Sequence, residues 1–123
     1  MKILYVEDNP DNVYMLTRRL KKKGFDIILA EDGKQGVNMA LSESPDLILM
    51  DLNLPIMDGW EATKNIKADE KGKDIPIIAL SAHAMEEHKK SAIDAGCDDY
   101  DTKPVDFKRL LSKISQFIEM SEA

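Results

Sequence analysis

The chain has 123 residues, 43% of them apolar and 33% charged, which suits one globular domain and excludes a coiled coil, a collagen-like chain and intrinsic disorder. Its 23 acidic and 17 basic residues give a net charge of −6, so it lacks the basic excess with which proteins neutralise nucleic-acid phosphates. The single Cys97 cannot close a disulfide within the chain and suits a reducing compartment. The apolar start reaches Glu7 too early for a signal peptide or a membrane span. We therefore expect a cytoplasmic protein with no nucleic-acid or membrane partner.

Five short runs predict the buried strands of a sheet. They are Ile3–Val6, Asp26–Ala30, Leu47–Met50, Ile77–Leu80 and Asp99–Asp101. The third and fourth runs are apolar at every position, which is typical of parallel strands covered on both faces.

Apolar residues at helical spacing lie between and after these runs. Gly24 follows the first such stripe, where the end of a helix is expected. The stripes consist of Val13, Leu16 and Leu20, then Val37, Ala40 and Leu41, then Ala62 and Ile66, and finally Phe107, Leu110, Leu111, Ile114, Phe117 and Ile118. Five β-then-α units predict a doubly wound α/β domain, with a five-stranded parallel sheet and helices on both faces. Ligands of such folds bind at the carboxyl ends of the strands.

Charged and hydroxyl residues follow the predicted strands at these ends. Glu7 and Asp8 follow the first strand, Asp51 the third, Ser81 the fourth and Lys103 the fifth. Carboxylates packed together repel one another, and either protonation or a hard cation relieves the repulsion. Magnesium prefers oxygen ligands, so Asp8 and Asp51 are candidate Mg²⁺ ligands together with the backbone carbonyl of Asn53.

The same edge has the parts that phosphoryl transfer requires. Asp51 is available as a nucleophile, and Lys103 and Ser81 offer a charge and a hydroxyl donor to a bound phosphoryl group. Taken singly, Glu7 and Asp8 are also typical of a helix cap, and Asp51 is also typical of a turn. Their joint occurrence at the ends of different strands favours a site.

The chain resembles the receiver domains of bacterial response regulators, the CheY-like family, over essentially its whole length. The residues that carry the resemblance are Val6-Glu7-Asp8-Asn9, Leu49-Met50-Asp51-Leu52-Asn53-Leu54-Pro55, Asp58-Gly59, Ala79-Leu80-Ser81-Ala82 and Lys103-Pro104. The resemblance implies a flavodoxin-like (βα)5 fold and a receiver domain. Because the chain ends a few residues after its last apolar helical position, Ile118, we expect this one domain to span residues 1–123 with no output domain.

The resemblance also implies roles for single residues. Asp51 accepts a phosphoryl group from a histidine kinase or a phosphotransfer protein. Mg²⁺ is held by Asp8, Asp51 and the carbonyl of Asn53, with Glu7 reaching it through water.

Further roles concern the phosphoryl oxygens and the switch. Ser81, where the family most often has Thr, binds these oxygens together with Lys103, and the peptide bond before Pro104 is cis. Tyr100 matches the family's switching aromatic, although it also reads as a residue that simply packs at a strand end.

On this basis we expect a monomeric single-domain response regulator that signals through a downstream protein partner. It is not an enzyme with turnover, but it catalyses its own phosphorylation and dephosphorylation. Two alternatives remain, namely a Mg²⁺-dependent phosphohydrolase with an aspartate nucleophile and a phosphorylation-independent adaptor. His83, near Ser81, either influences the water that hydrolyses the acyl phosphate or is a solvated loop residue.

Overall fold

The computed structural model describes residues 1–82 and 86–118, except for the side chain of Glu86. All five strands are parallel, and they lie in the order β2-β1-β3-β4-β5. The strands are β1 Lys2–Val6, β2 Asp26–Ala30, β3 Leu47–Asp51, β4 Ile77–Ser81 and β5 Asp99–Thr102. The helices are α1 Pro10–Lys22, α2 Gly33–Glu43, α3 Gly59–Ala68, α4 Glu86–Ala95 and α5 Phe107–Ser115. The predicted fold class is confirmed.

Helices cover both faces of the sheet. On one face, α1 and α5 contribute Leu16, Leu20, Leu110 and Ile114 to a buried cluster with side chains of β1, β3 and β4. On the other face, α2, α3 and α4 contribute Ala40, Ala62, Ile66 and Ala92. Every residue of β3 and β4 is buried, as their continuous apolar runs predicted.

Two expectations about the elements need correction. The strand β2 is only partly buried, because it lies at the edge of the sheet and pairs only with β1: Leu29 is 41% exposed, whereas Ala30 is buried. The last helix ends at Ser115, although its apolar stripe continues to Phe117 and Ile118. The backbone N–H groups of these two residues both donate to the carbonyl of Ile114, so a tight turn keeps them against the core.

The register brings the strand ends to one edge. Val6 is level with Met50, and Asp51 is level with Leu80. Asp51 is the last residue of β3, and Ser81 is the last residue of β4. Because Asp51 is level with Leu80, Ser81 lies one residue beyond Asp51 on the neighbouring strand. The side chain of Asn9 accepts hydrogen bonds from two backbone N–H groups at the start of α1, which fixes the turn that leaves β1.

None of the helices within the described residues is long and apolar enough to cross a membrane.

Candidate functional site

An acidic cluster lies at the carboxyl ends of β1 and β3. Glu7, Asp8 and Asp51 each place one carboxylate oxygen within 4.8 Å of the others. Glu7 is 2% exposed and Asp51 3%, whereas Asp8 is exposed at the mouth of the cluster. The structure therefore brings together the three carboxylates that the sequence placed at the strand ends.

Lys103 supplies positive charge to this cluster from beyond β5. Its Nζ donates to Oε1 of Glu7 at 2.6 Å and lies 3.4 Å from Oδ2 of Asp51. Its backbone N–H donates to the carbonyl of Ser81 at 2.8 Å, which ties the end of β5 to the end of β4. The peptide bond between Lys103 and Pro104 is cis.

Glu7 has further partners that the sequence analysis missed. The hydroxyl of Tyr5 donates to Oε1 of Glu7 at 3.2 Å, and the side-chain amide of Asn12 donates to the same oxygen at 3.4 Å. The backbone N–H of Asn9 lies 3.4 Å from Oε2. The spacing of Tyr5 and Glu7 contained a signal, because residues two apart on a strand point to the same face.

Burial and repulsion shift the pKa values in the cluster. The pKa of Asp51 is raised to about 7, mainly by burial and then by the hydrogen bond with Glu7 and the negative charge of Glu7. The charge of Lys103 and the hydrogen bond from the backbone N–H of Asn53 act in the opposite direction. Burial acts to raise the pKa of Glu7 as well, but hydrogen bonds from Asp51 and Lys103 hold it below its usual value. Burial and the neighbouring Glu7 raise the pKa of Tyr5, so its hydroxyl stays protonated as a donor. Below about pH 7 the two buried carboxylates thus hold one proton between them, and above it they lose this proton.

The other predicted residues occupy different depths. Ser81 is fully buried, and Tyr100 is 6% exposed with its ring in the cluster beneath α2, α3 and α4. Asn53 is exposed, and its backbone N–H donates to Oδ1 of Asp51 at 3.2 Å. His83 lies outside the described residues.

The donor set fits a hard divalent cation. Among the residues that the structure describes, the cluster offers carboxylate oxygens without sulfur or imidazole, and such ligands suit Mg²⁺ better than zinc or copper. Two buried carboxylates face one ammonium group, so a second cation would relieve the repulsion that keeps a proton on Asp51.

Comparison with known proteins identifies the family. The family model for the response regulator receiver domain matches residues 3–115. The chain belongs to the response regulator receiver domain family. Sensor protein GacS of Pseudomonas syringae pv. syringae is 40% identical over 112 aligned residues, and the match covers 89% of this chain but only 12% of that protein. Protein PilH of Pseudomonas aeruginosa is 39% identical, and the match covers 93% of this chain and 94% of PilH.

Solved receiver domains have the same architecture. The receiver domain of a sensor histidine kinase from P. aeruginosa PAO1, with a magnesium ion coordinated in its active-site cleft, is 39% identical with a TM-score of 0.88 and covers 94% of this chain and 95% of that one. The receiver domain of Ssk1 from Saccharomyces cerevisiae, solved with the phosphotransfer protein Ypd1, is 35% identical with a TM-score of 0.89 and covers 95% of this chain and 88% of that one. The predicted family and fold are confirmed, because the family model matches residues 3–115 and the solved receiver domain covers 94% of this chain.

Proposed function

We propose that this receiver domain is a phosphorylation-controlled switch in a two-component or phosphorelay pathway, and that Asp51 is its phosphoacceptor. The supporting observation is a buried carboxylate at the end of β3 with the ammonium group of Lys103 3.4 Å away. A nucleophile needs a lone pair, which the ionised Asp51 carboxylate has, and a neighbouring charge that offsets the charge of the incoming group, which Lys103 supplies.

The transfer step forms one bond and breaks another. A carboxylate oxygen of Asp51 bonds to phosphorus, while the bond between phosphorus and the donor's imidazole nitrogen breaks and its electron pair returns to the imidazole, which takes a proton from solvent. Asp51 must be ionised for this step, so the proton it holds beside Glu7 has to leave first. Lys103 then offsets the charge of the phosphoryl oxygens.

Mg²⁺ is proposed to be held by Asp8, Asp51 and the carbonyl of Asn53, with Glu7 reaching it through water. Bound there, the ion supplies positive charge that offsets the carboxylates and the phosphoryl oxygens. Two observations support this, namely the 4.8 Å acidic cluster and the magnesium ion in the cleft of the related P. aeruginosa receiver domain.

Ser81 and Tyr100 are proposed to transmit the change. The hydroxyl of Ser81, at the end of β4, is proposed to bind a phosphoryl oxygen on Asp51, and Tyr100 follows this movement from the neighbouring strand. Ala79, two residues before Ser81, is level with Tyr100, so the two strands connect these positions directly. The surface formed by α4, β5 and α5 then changes.

The partners are proposed from the relatives. Ssk1 was solved with the phosphotransfer protein Ypd1, and GacS is a sensor protein, so a histidine kinase or a phosphotransfer protein is the expected phosphoryl donor. PilH is matched over nearly its full length, which supports a single-domain receiver. We further propose that the domain is a monomer and that it acts on a downstream protein. The one free thiol, buried at Cys97, is compatible with the proposed cytoplasmic location.

The two alternatives differ in their chemistry. Phosphatases of the haloacid-dehalogenase type have a second aspartate two residues after the nucleophile, and this chain has Asn53 there. The carboxamide of Asn53 does not ionise at physiological pH, so it cannot protonate a leaving group as a general acid, which disfavours turnover. An adaptor that is independent of phosphorylation would need neither Lys103 nor the buried carboxylates.

Labelling with acetyl phosphate tests the proposal. Incubation with Mg²⁺ should add one phosphoryl group that peptide mapping places on Asp51. Asp51→Asn should abolish the label, and Asp74→Asn, which changes an exposed aspartate, should keep it. Labelling of Asp51→Asn or full labelling in excess chelator would contradict the proposal, and multiple turnovers of a phosphomonoester would favour the phosphohydrolase.

A further inference from the structure

A further buried carboxylate, outside the acidic cluster, lies on β5, two residues before Lys103. Asp101 is 4% exposed, and its Oδ1 accepts from the backbone N–H of Thr102 at 2.8 Å and from Nε of Arg109 at 2.7 Å. Its Oδ2 has no hydrogen-bond partner among the residues that the structure describes. Arg109, on α5, therefore supplies the positive charge that keeps this carboxylate in place.

Arg109 forms hydrogen bonds on both sides of Lys103, to Asp101 and Thr102 before it and to Asp106 after it. Its Nη2 also lies 3.4 Å from Oγ1 of Thr102, and its backbone N–H donates to Oδ1 of Asp106 at the start of α5. One side chain thus contacts the two residues immediately before Lys103, while its own backbone is held at the far end of the same loop.

We propose that Arg109, acting through Asp101 and Thr102, is a positioning residue that sets the distance between the Lys103 ammonium and the acidic cluster. The inference rests on the proposed function, because it concerns the charge that serves phosphoryl transfer. Without Arg109, a buried and unpaired Asp101 carboxylate turns toward solvent. Because Thr102 is bonded to it, the movement displaces the backbone from which Lys103 extends.

A second ion pair provides the matched control. Nζ of Lys113 lies 3.3 Å from Oδ1 of Asp99, so it fastens the same helix to the same strand, four residues beyond Arg109. Asp99 is at the beginning of β5, at the opposite end from Lys103. Loss of this pair removes a similar contact between α5 and β5 without touching the residues next to Lys103.

The test compares Arg109→Gln with Lys113→Gln, both of which change partly exposed side chains. In the metal-free protein, the ¹⁵N resonance of the Lys103 ammonium, assigned by its loss in Lys103→Gln, should shift or broaden in Arg109→Gln only. At saturating Mg²⁺, labelling of Arg109→Gln by acetyl phosphate should slow by about tenfold, with Mg²⁺ affinity unchanged within about twofold. Lys113→Gln should stay within about twofold of the original rate.

Two further variants separate positioning from general damage. Arg109→Lys keeps the charge and should recover most of the rate. Asp101→Asn combined with Arg109→Gln should be no slower than Arg109→Gln alone, because the two residues act as one unit.

An unchanged Lys103 resonance in Arg109→Gln, or equal slowing in Lys113→Gln, would overturn the inference. If the unaltered chain takes no label, the proposed function fails, and the resonance alone then decides the positioning role.

Discussion

The Lys103 ammonium lies 2.6 Å from Oε1 of Glu7, although 96 residues separate the two in the sequence. It lies farther, at 3.4 Å, from Oδ2 of Asp51. The close contact with Lys103 helps to lower the pKa of Glu7, while burial and the neighbouring Glu7 raise the pKa of Asp51, so Glu7 carries the negative charge of the pair. In the cation-free protein the ammonium is thus paired mainly with Glu7, next to the residue that the proposal makes the phosphoacceptor.

Lys103→Gln should separate cation binding from phosphoryl transfer. Loss of the ammonium removes a charge that offsets the phosphoryl oxygens, and we expect labelling by acetyl phosphate to slow by at least about tenfold. Mg²⁺ affinity, measured by calorimetry, should be unchanged or higher, because the ammonium no longer competes for Glu7. Lys108→Gln, which alters an exposed lysine of α5, is the control. Unimpaired labelling of Lys103→Gln would contradict the role of this charge.

Asp51→Asn should stabilise the metal-free protein at alkaline pH. Because the pKa of Asp51 is raised from 3.8 to about 7, the folded state keeps a proton that the unfolded chain has lost in this window. The stability contributed by this group is fully present below about pH 4 and is lost as the pH rises through about 7.

The uncharged amide does not titrate, so in chelator at about pH 8 the variant should have a free energy of unfolding about 1–3 kcal/mol higher than the original chain. This difference in the free energy of unfolding should fall to near zero at about pH 4, and urea unfolding at about pH 8 and about pH 4 measures it. Asp74→Asn should leave the pH profile unchanged. A variant that is less stable than the original chain at about pH 8 would show that the raised pKa is wrong.

Gly59→Ala should damage the site through the backbone. A Cβ at Gly59 would collide with the carbonyl oxygen of Asp51 and lie 2.7 Å from Cα of Leu52. Both contacts are with backbone, so the end of β3 has to shift. We expect a loss of more than about 2 kcal/mol in the free energy of unfolding, together with slower labelling. Lys64→Ala, an exposed change in the same helix, should cost less than about 0.5 kcal/mol.

Tyr100→Ala should uncouple the site from the surface while leaving Asp51 able to accept phosphate. Removing a ring that is 6% exposed leaves a cavity and should cost about 3–5 kcal/mol, the range for large aromatic truncations in a core. Backbone amide spectra before and after labelling measure the coupling, and the changes in α4 and α5 should be lost in the variant. Tyr14→Ala, at a position 65% exposed, is the control and should retain them. If Tyr100→Ala keeps the full response, Tyr100 does not couple the two regions.

Local patterns in the sequence determined the sheet, the helices and the residues at the strand ends. The apolar runs of β3 and β4 predicted strands buried on both faces, because such runs are stable only under helices on each side. The sequence also marked Glu7, Asp8 and Asp51 as candidate site residues, because charged side chains stand there directly after apolar runs.

Only the tertiary structure decided how these residues meet. The exposed position of β2 depends on strand order, and the partners of Glu7 depend on how α1 and the end of β5 pack against β1. The pair formed by Asp101 and Arg109 had no sequence signal, because charged residues eight positions apart in a strand and a helix share no common period. Periodicity reports which face of its own element a side chain occupies, whereas distances between elements are set by register and packing.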